Sequence, residues 1–363
     1  MARLLREGIG GLEDYVPGRS IEEVKAEFGL EAVEKMASNE NPLGPSPLAV
    51  EAAREALAAS HLYPDGSAGS LRAALARRFG LKPGNFFVGN GADDVLQNLA
   101  RAFVNQGEEC VIPFPFFHPY TTVTQVMGGV PVYSPLRGCR VDLSDVRARV
   151  TERTKLLFLC NPNNPTGTVF RRAEFDPFLR DLPRSAIVVL DEAYLDFCGA
   201  NDVPRSESYI QGGEALVVGV RTFSKVYGLA GLRIGYGMAR PAVIRALHRT
   251  KDPFNVSRPA LAAAQAALED EAFRRQSVRV VHEGKRRLYE GLGRLGVEYV
   301  PTEANFVLIH LGPQAPRMAR DLMARGIIVR PCASFGWKEH VRVTVGSPGQ
   351  NEKFLAALAA VLA

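Results

Sequence analysis

A lysine, two hydroxyl residues and an arginine lie close together in the middle of the chain. They are Thr222, Ser224, Lys225 and Arg233, and a glycine-rich turn separates the lysine from the arginine. A lysine forms a Schiff base with a carbonyl group when its pKa is lowered, while arginine and hydroxyl groups suit a phosphate ester. Solvated turns also contain such residues. The combination is nevertheless the minimum requirement for a pyridoxal 5′-phosphate (PLP) site.

A carboxylate lies at the end of an apolar run upstream of this lysine. Residues 186–190 predict a buried parallel strand, which leads directly into Asp191. Ligands of open α/β sheets bind beyond the carboxyl ends of the strands, so we expect Asp191 to face a site and not the core. A carboxylate there would keep the pyridine nitrogen of PLP protonated and make the ring an electron sink.

Two other strand ends carry turn sequences. Residues 155–160 predict a strand that leads into an Asn-Pro and Thr-Gly turn at 161–167. Residues 86–88 predict a second strand, followed by a Gly-Asn-Gly turn at 89–91 and a helix. Free backbone N–H groups at a helix N-terminus bind phosphate, and glycines allow its close approach. Each turn alone is a weak signal that also fits an ordinary loop.

In this order and spacing, the strand ends closely resemble the fold-type I aminotransferases of class I/II. The family pattern runs Asn-Pro-x-Asn-Pro-Thr-Gly, Asp-x-x-Tyr, Ser-Lys and Arg-x-Gly, and the chain has it at 161–167, 191–194, 224–225 and 233–235. The resemblance covers nearly the whole chain. It implies an α/β fold in which helices sandwich a mostly parallel central sheet, with a smaller α+β domain and a homodimeric assembly.

The resemblance also implies a role for each cofactor-binding residue. Lys225 would bind PLP covalently and move a proton, and Asp191 would face the pyridine nitrogen. Tyr194 and Asn164 would hydrogen-bond the phenolic oxygen, and Asn164 would also contact the substrate. Phe117, where relatives commonly have tyrosine, would stack on the ring. The groups that would hold the phosphate are the amides of Ala92 and Asp93, the side chains of Thr222, Ser224 and Arg233, and Tyr63 of the partner subunit.

The N-terminal segment and two arginines indicate the substrate. Tyr15, which begins a Tyr-x-Pro-Gly motif, and the stretch 38–46 resemble the histidinol-phosphate branch of the family. In that branch Arg330, Arg342 and Tyr15 face the substrate phosphate, and the arginines also accept the carboxylates of glutamate. The expected reaction interconverts histidinol phosphate and 2-oxoglutarate with imidazole-acetol phosphate and glutamate, in histidine biosynthesis.

Three alternatives remain open at this point. An aromatic amino-acid aminotransferase and a phosphothreonine decarboxylase share the fold and most of the motifs, because fold and family motifs do not determine the substrate. A PLP-binding sensor domain of a transcription factor is a third. Such proteins carry an extra N-terminal DNA-binding domain, whereas this sequence starts on the enzyme's own first segment. It also retains Lys225, Arg330 and Arg342, which favours catalysis.

The order of the elements predicts how these residues are positioned. Ser20 is expected to cap a helix that ends at Phe28, and the strand at 215–220 is expected to lead into the lysine. A long helical run over 260–292 is predicted to break near Asp270. We predict a large PLP-binding domain over residues 41–252. A small domain would combine residues 1–40 with 253–363.

Composition excludes several classes of protein. The 363 residues are 46% apolar, which suits a large globular core. The net charge of +5 is dispersed, so no nucleic-acid partner is predicted. The five cysteines and six histidines form no metal-binding pattern, and reduced thiols are expected. No apolar run is long enough for a membrane span and no signal peptide is evident, so the cytoplasm is the expected compartment.

Overall fold

The computed structural model of the protein describes residues 4–6, 9–12, 18–115, 117–212 and 216–363. The strands are β1 Glu34–Lys35, β2 Phe86–Gly89, β3 Glu109–Phe114, β4 Val130–Pro135, β5 Thr154–Cys160, β6 Ile187–Asp191, β7 Val217–Thr222, β8 Gly235–Met238, β9 Tyr299–Val300, β10 Phe306–His310, β11 Ile327–Ile328, β12 Arg330–Pro331 and β13 His340–Thr344. The helices are α1 Ile21–Phe28, α2 Pro47–Leu57, α3 Gly69–Phe79, α4 Ala92–Phe103, α5 Pro119–Val126, α6 Leu143–Ala148, α7 Arg172–Arg180, α8 Ser206–Gly212, α9 Pro241–Thr250, α10 Arg258–Glu269, α11 Glu271–Arg294, α12 Ala315–Ala324 and α13 Pro348–Leu362.

Seven strands form the central sheet, in the order β2-β8-β7-β6-β5-β3-β4. The strands from β7 to β4 pair in parallel, and β8 is antiparallel to both of its neighbours. Consecutive residues of β6 pack into different cores, Val188 with α6 and α7 and Val189 with α4, α5 and α9. Because both faces are covered by helices, the strands are continuous apolar runs. The predicted α/β fold class is confirmed.

The carboxyl ends of β5, β6 and β7 lie side by side. Cys160 is in register with Asp191, and Asp191 with Val220. Asp191 therefore shares a sheet face with Val189, two residues earlier, and with the helices packed there. The first turn of α4 follows β2, which pairs with β8 next to β7.

The C-terminal part forms a second, antiparallel sheet in the order β12-β13-β10-β9. The N-terminal strand β1 pairs in parallel with β11, and the two form a separate two-stranded sheet. The predicted cap of α1 is confirmed, since Ser20 makes a capping box with Glu23. The predicted break in the long helical run is also confirmed, because Asp270 lies between α10 and α11 and caps the latter. The division into two domains stays a prediction.

The helices of the described part of the chain include none with the length and apolar character of a membrane span.

Candidate active site

A cavity of about 110 Å³ lies at the carboxyl ends of β5, β6 and β7. Ten of the predicted cofactor-binding residues line it. They are Ala92, Asp93, Phe117, Asn164, Asp191, Tyr194, Thr222, Ser224, Lys225 and Arg233, and Cys160 and Ala193 complete the lining. Their roles stay predictions, but the fold brings together side chains that are distant in sequence.

Lys225 lies just beyond the end of β7, with its amine inside the protein. Its Nζ donates to the Ser38 carbonyl at 3.2 Å and lies 5.9 Å from the centre of the Tyr194 ring. Burial lowers the pKa of Lys225 to about 8, and the nearby Arg342 guanidinium acts in the same direction. A neutral amine is therefore accessible near physiological pH, as a nucleophile or base requires.

Asp191 is buried and held at both oxygens. Tyr120 donates from Oη to its Oδ2 at 2.6 Å, and the Ala193 amide donates to Oδ1 at 3.0 Å. Burial raises the pKa of Asp191 to about 6, against the opposing effect of the Tyr120 hydrogen bond. A cationic partner in the cavity would restore the carboxylate. Tyr120 is a residue whose contribution the sequence reasoning missed, and its position three residues after Phe117 was the available signal.

Tyr194 and Asn164 lie together at the other side of the cavity. The Asn164 Nδ2 donates to Tyr194 Oη at 3.3 Å, and a second amide, Nδ2 of Asn39, donates to the same oxygen at 3.1 Å. The Tyr194 ring packs edge-on against Phe306, with 5.1 Å between ring centres. Both predicted residues thus form one hydrogen-bonded group. Asn39 was not predicted, although it belongs to the 38–46 stretch that indicated the substrate.

The turn before α4 and the Arg233 side chain form a cradle that suits a phosphate. Gly91 has φ 81° and offers no side-chain cap, so the first amides of α4 are left for a ligand. A Cβ on Gly91 would lie 2.7 Å from Arg233 Nη2, and a Cβ on Gly235 would lie 2.6 Å from the Ala92 nitrogen. Arg233 Nη2 lies 3.3 Å from Asp93 Oδ2. Only glycine at these two positions keeps the cradle open.

A second cavity, of about 260 Å³, adjoins the first and shares Phe117, Asn164, Tyr194 and Lys225 with it. Arg330 and Arg342, the predicted acid-binding residues, both line this second cavity.

The two arginines of the second cavity are paired across β12 and β13 and both lie near one aromatic ring. The Arg342 guanidinium is buried, and it donates to Asn164 Oδ1 at 2.6 Å and to the Ala37 carbonyl at 2.8 Å. Phe335 lies 5.7 Å from the guanidinium carbon of Arg330 and 5.8 Å from that of Arg342. Sequence reasoning missed Phe335, because nothing in its local pattern distinguishes it from a core residue.

Of the predicted residues that the structure describes, Tyr63 lines neither of these two cavities. Tyr63 is 78% exposed and stacks on Phe254, with 4.6 Å between ring centres. Its carbonyl accepts a hydrogen bond from Arg258 Nη2 at 2.7 Å. Such exposure suits a residue that contacts another subunit. Tyr15 lies outside the described residues.

The fold and the cavity together define the class, which is that of the fold-type I PLP-dependent transferases. The sequence model of the family Aminotransferase class I and II matches residues 31–358, so the chain belongs to that family.

Individual relatives are similar over nearly their full length. The chain is 49% identical to a histidinol-phosphate aminotransferase of Moorella thermoacetica, over 99% of this chain and 93% of the relative. It is 45% identical to one of Symbiobacterium thermophilum, over 99% and 98%. A crystal structure of histidinol-phosphate aminotransferase from Sinorhizobium meliloti in complex with pyridoxal-5'-phosphate has a TM-score of 0.89 and 29% identity, and the match covers 99% of this chain and 97% of that one.

Proposed function

We propose that this chain is a PLP-dependent transaminase that interconverts histidinol phosphate and 2-oxoglutarate with imidazole-acetol phosphate and glutamate. The observation that carries the proposal is the meeting of Lys225, Asp191 and Arg342 around two adjoining cavities. One cavity has the groups a phosphorylated pyridine needs, and the other has two guanidinium groups for an acidic substrate. The similarity to histidinol-phosphate aminotransferases over 99% of the chain supports this substrate.

The donor set of the first cavity fits PLP. The cradle of Gly91, Arg233 and the first amides of α4 would hold its phosphate, with Thr222 and Ser224 beside it. Phe117 lines the same cavity and offers a flat apolar face for the ring. Bound PLP supplies an electron-withdrawing ring, which spreads the negative charge that develops when the substrate loses a proton.

The charged and polar side chains around the first cavity would each have a separate role. Asp191 would hold a proton at the ring nitrogen, and the resulting ion pair would keep its carboxylate charged despite burial. Asn164 and Tyr194 would donate to the phenolic oxygen. Lys225 would hold the cofactor covalently and, once released by the substrate amine, would carry the proton away from the substrate Cα as a general base. Its low pKa supports both roles.

The substrate's acidic group would bind at the other cavity. Guanidinium groups bind phosphate and carboxylate in a planar, bidentate geometry. Arg342 is buried, and Arg330 is its directly paired residue on the neighbouring strand, so a phosphate could contact both. The same pair would accept a carboxylate of glutamate in the other half-reaction.

A single-turnover experiment tests the substrate. We expect the aminated form of the loaded enzyme to regain its original absorbance at least about 100-fold faster with imidazole-acetol phosphate than with phenylpyruvate. The phosphate offers three oxygens and nearly two negative charges to the arginine pair, whereas phenylpyruvate offers a single carboxylate. Stopped-flow absorbance measures both reactions. Carbon dioxide release from phosphothreonine serves as the control for decarboxylation.

Each other outcome of that experiment contradicts part of the proposal. A preference for phenylpyruvate would make the protein an aromatic aminotransferase. If no amino donor converts the cofactor to its aminated form, transamination itself is ruled out.

The proposal extends to the assembly, the domains and the compartment. We propose a homodimer in which Tyr63 of the partner subunit completes the phosphate site, which its 78% exposure beside the stacked Phe254 supports. Residues 41–252 would form the large domain, and residues 1–40 and 253–363 the small one. The five cysteines are free thiols, which supports the cytoplasm as the compartment.

Mixing two inactive variants tests the shared site. Lys225→Met removes the lysine from a subunit's own site, whereas Tyr63→Ala would impair the site of its neighbour. At limiting PLP, each variant alone should be nearly inactive. A refolded equimolar mixture should regain about a quarter of the wild-type activity, because half of the dimers would be hybrids with one intact site. No recovery, in a mixture that sediments as dimers, would assign Tyr63 to its own subunit's site and contradict a role in the partner's site.

A further inference from the structure

Asn39 is a buried asparagine of the N-terminal segment that contacts three distant parts of the chain. The residue is 1% exposed, and its backbone has φ 55°, a left-handed conformation that asparagine tolerates better than most residues. Its carbonyl accepts a hydrogen bond from Asn305 Nδ2 at 3.0 Å. Its side-chain amide donates to Tyr194 Oη at 3.1 Å. Both the backbone conformation and the side chain of Asn39 are therefore fixed by specific hydrogen bonds, not by apolar packing.

Thr344 determines which way the Asn39 amide points. The Asn39 backbone N–H donates to Thr344 Oγ1 at 2.9 Å, so the threonine hydroxyl uses its own hydrogen elsewhere. That hydroxyl donates to Asn39 Oδ1 at 3.3 Å. With its oxygen fixed on Thr344, the amide must direct its NH₂ group at Tyr194.

Asn164 is oriented in the same way by a neighbour of Thr344. Arg342 donates to Asn164 Oδ1 at 2.6 Å, which directs the Asn164 NH₂ group at Tyr194 Oη. Arg342 and Thr344 are two residues apart on β13 and therefore point to the same face of that strand. One strand thus orients both amides that donate to Tyr194.

The two donors determine what the Tyr194 hydroxyl does. A phenolic oxygen accepts two hydrogen bonds and donates one. Because Asn39 and Asn164 both donate to it, its hydrogen is directed to a third partner, and the cavity that Tyr194 lines has room for one. In the proposed reaction Arg342 also binds the substrate's acid group, which would compete with its bond to Asn164.

We propose that Asn39, oriented by Thr344, is a positioning residue that keeps the Tyr194 hydroxyl donating to the cofactor's phenolic oxygen while Arg342 exchanges Asn164 for the substrate's acid group. The inference rests on the proposed cofactor and goes beyond the proposed reaction. It assigns a function to the Ser-Asn-Glu-Asn-Pro stretch, which the reaction itself does not require. The two amides also differ in how they are held. Asn164 is oriented by Arg342, which would bind the substrate, whereas Asn39 is oriented by Thr344, which would not.

The charged surroundings of Tyr194 agree with this role. Burial raises the pKa of Tyr194 well above its usual value, and the charges of Cys160 and Asp191 act in the same direction. Arg342 and the hydrogen bond from Asn39 lower this pKa, but by less. Lys225 lies 5.9 Å from the ring centre. The hydroxyl therefore stays protonated and available as a donor.

Removing the Asn39 side chain should change the cofactor's electronic state. Asn39→Gly keeps the left-handed backbone, because glycine adopts positive φ freely. We expect the pKa reported by the visible absorption of bound PLP to rise by about 0.5 to 1 unit, since a weaker donor stabilises the cofactor's phenolate less. Thr344→Val should give the same rise, and Thr344→Ser should restore the wild-type value. Asn39→Gly combined with Thr344→Val should add nothing, because both act through one amide.

A readout without cofactor separates this inference from the proposed reaction. In the cofactor-free protein, the NMR resonance of the Tyr194 ring carbon that bears the hydroxyl should move in Asn39→Gly and in Thr344→Val. Asn85→Gly is the matched control, because Asn85 is a buried amide that binds the Lys82 and Ala239 backbone away from this site. It should lower thermal stability and leave both readouts unchanged.

The outcomes are distinguishable. If the wild type binds PLP but Asn39→Gly and Thr344→Val show the same pKa of bound PLP as the wild type, the positioning role is wrong. The proposed reaction would not be contradicted by that result. If the wild type does not bind PLP, the proposed reaction fails, and an unmoved Tyr194 resonance would overturn the positioning role independently. Should Asn39→Gly not fold, the pair Thr344→Val and Thr344→Ser still decides, since equal values for the two would contradict the inference.

Discussion

Lys225→Met should abolish transamination and, at the same time, stabilise the cofactor-free protein below about pH 8. We expect a loss of about 10⁴-fold or more in turnover, because one amine serves as both the covalent attachment and the general base. The methionine keeps the length of the side chain but offers no nitrogen. Steady-state turnover at saturating PLP measures the loss.

The gain in stability follows from the lysine's lowered pKa. Burial first, and Arg342 second, lower the pKa of Lys225 from 10.5 to about 8. Below pH 8 the amine is charged in both the folded and unfolded protein, and burying that charge destabilises the fold by up to about 3 kcal/mol. As pH rises from 8 through 10.5, the amine becomes neutral in both states and this cost disappears. The advantage of the methionine variant should therefore shrink over the same range.

Urea denaturation of the cofactor-free proteins at pH 7 and pH 10 measures this difference. Lys285→Met is a matched control, because Lys285 is also a buried lysine, with its Nζ donating to the Thr302 carbonyl at 3.2 Å. It should retain transamination. Turnover by Lys225→Met within about tenfold of the wild type would show that another group does the chemistry.

Asp191→Asn should lower turnover by about 10³-fold, because a neutral amide does not hold a proton at the ring nitrogen. Its effect on stability should depend on whether the cofactor is bound. In the loaded wild type, the carboxylate would face a cation, so the asparagine variant should release PLP more readily. Equilibrium dialysis measures the affinity.

In the cofactor-free protein the wild type should lose stability relative to Asp191→Asn as pH rises. Burial raises the pKa of Asp191 from 3.8 to about 6, so between these values the folded protein binds a proton that the unfolded chain releases. Stability contributed by the carboxyl is therefore lost as pH rises from about 4 through 6. Relative to Asp191→Asn, the wild type should lose about 2 to 3 kcal/mol over that range. Denaturation midpoints at pH 4.5 and 7 give the comparison.

A second variant checks the cause of this pH dependence. Tyr120→Phe removes the hydroxyl that donates to Asp191 at 2.6 Å and retains the ring that stacks on Phe158 at 4.9 Å. Because that bond lowers the carboxyl's pKa in the folded protein, its removal should extend the loss of stability to higher pH. A wild type whose stability relative to Asp191→Asn does not change between pH 4 and 7 would contradict a raised pKa.

The family and most of the first cavity were predictable from the sequence, because the chemistry lies at strand ends. Apolar runs such as 186–190 have to be buried on both faces, and the polar residue that follows has to leave the sheet at its carboxyl edge. The position of Asp191 directly after such a run was therefore enough to assign it to a site. Lys225 followed in the same way, and the motif spacing then implied the partners that complete the family pattern.

Tertiary structure alone decided the contacts that orient those residues. Asn39 is 155 positions from the tyrosine it contacts, and Arg342 is 178 positions from Asn164. Tyr120 reaches Asp191 only because α5 packs on the same face of the sheet. Local sequence patterns report which residues face solvent or the core, since they follow the period of a helix or strand. They do not report which distant hydrogen-bonding groups will meet, because that depends on how separate elements pack together.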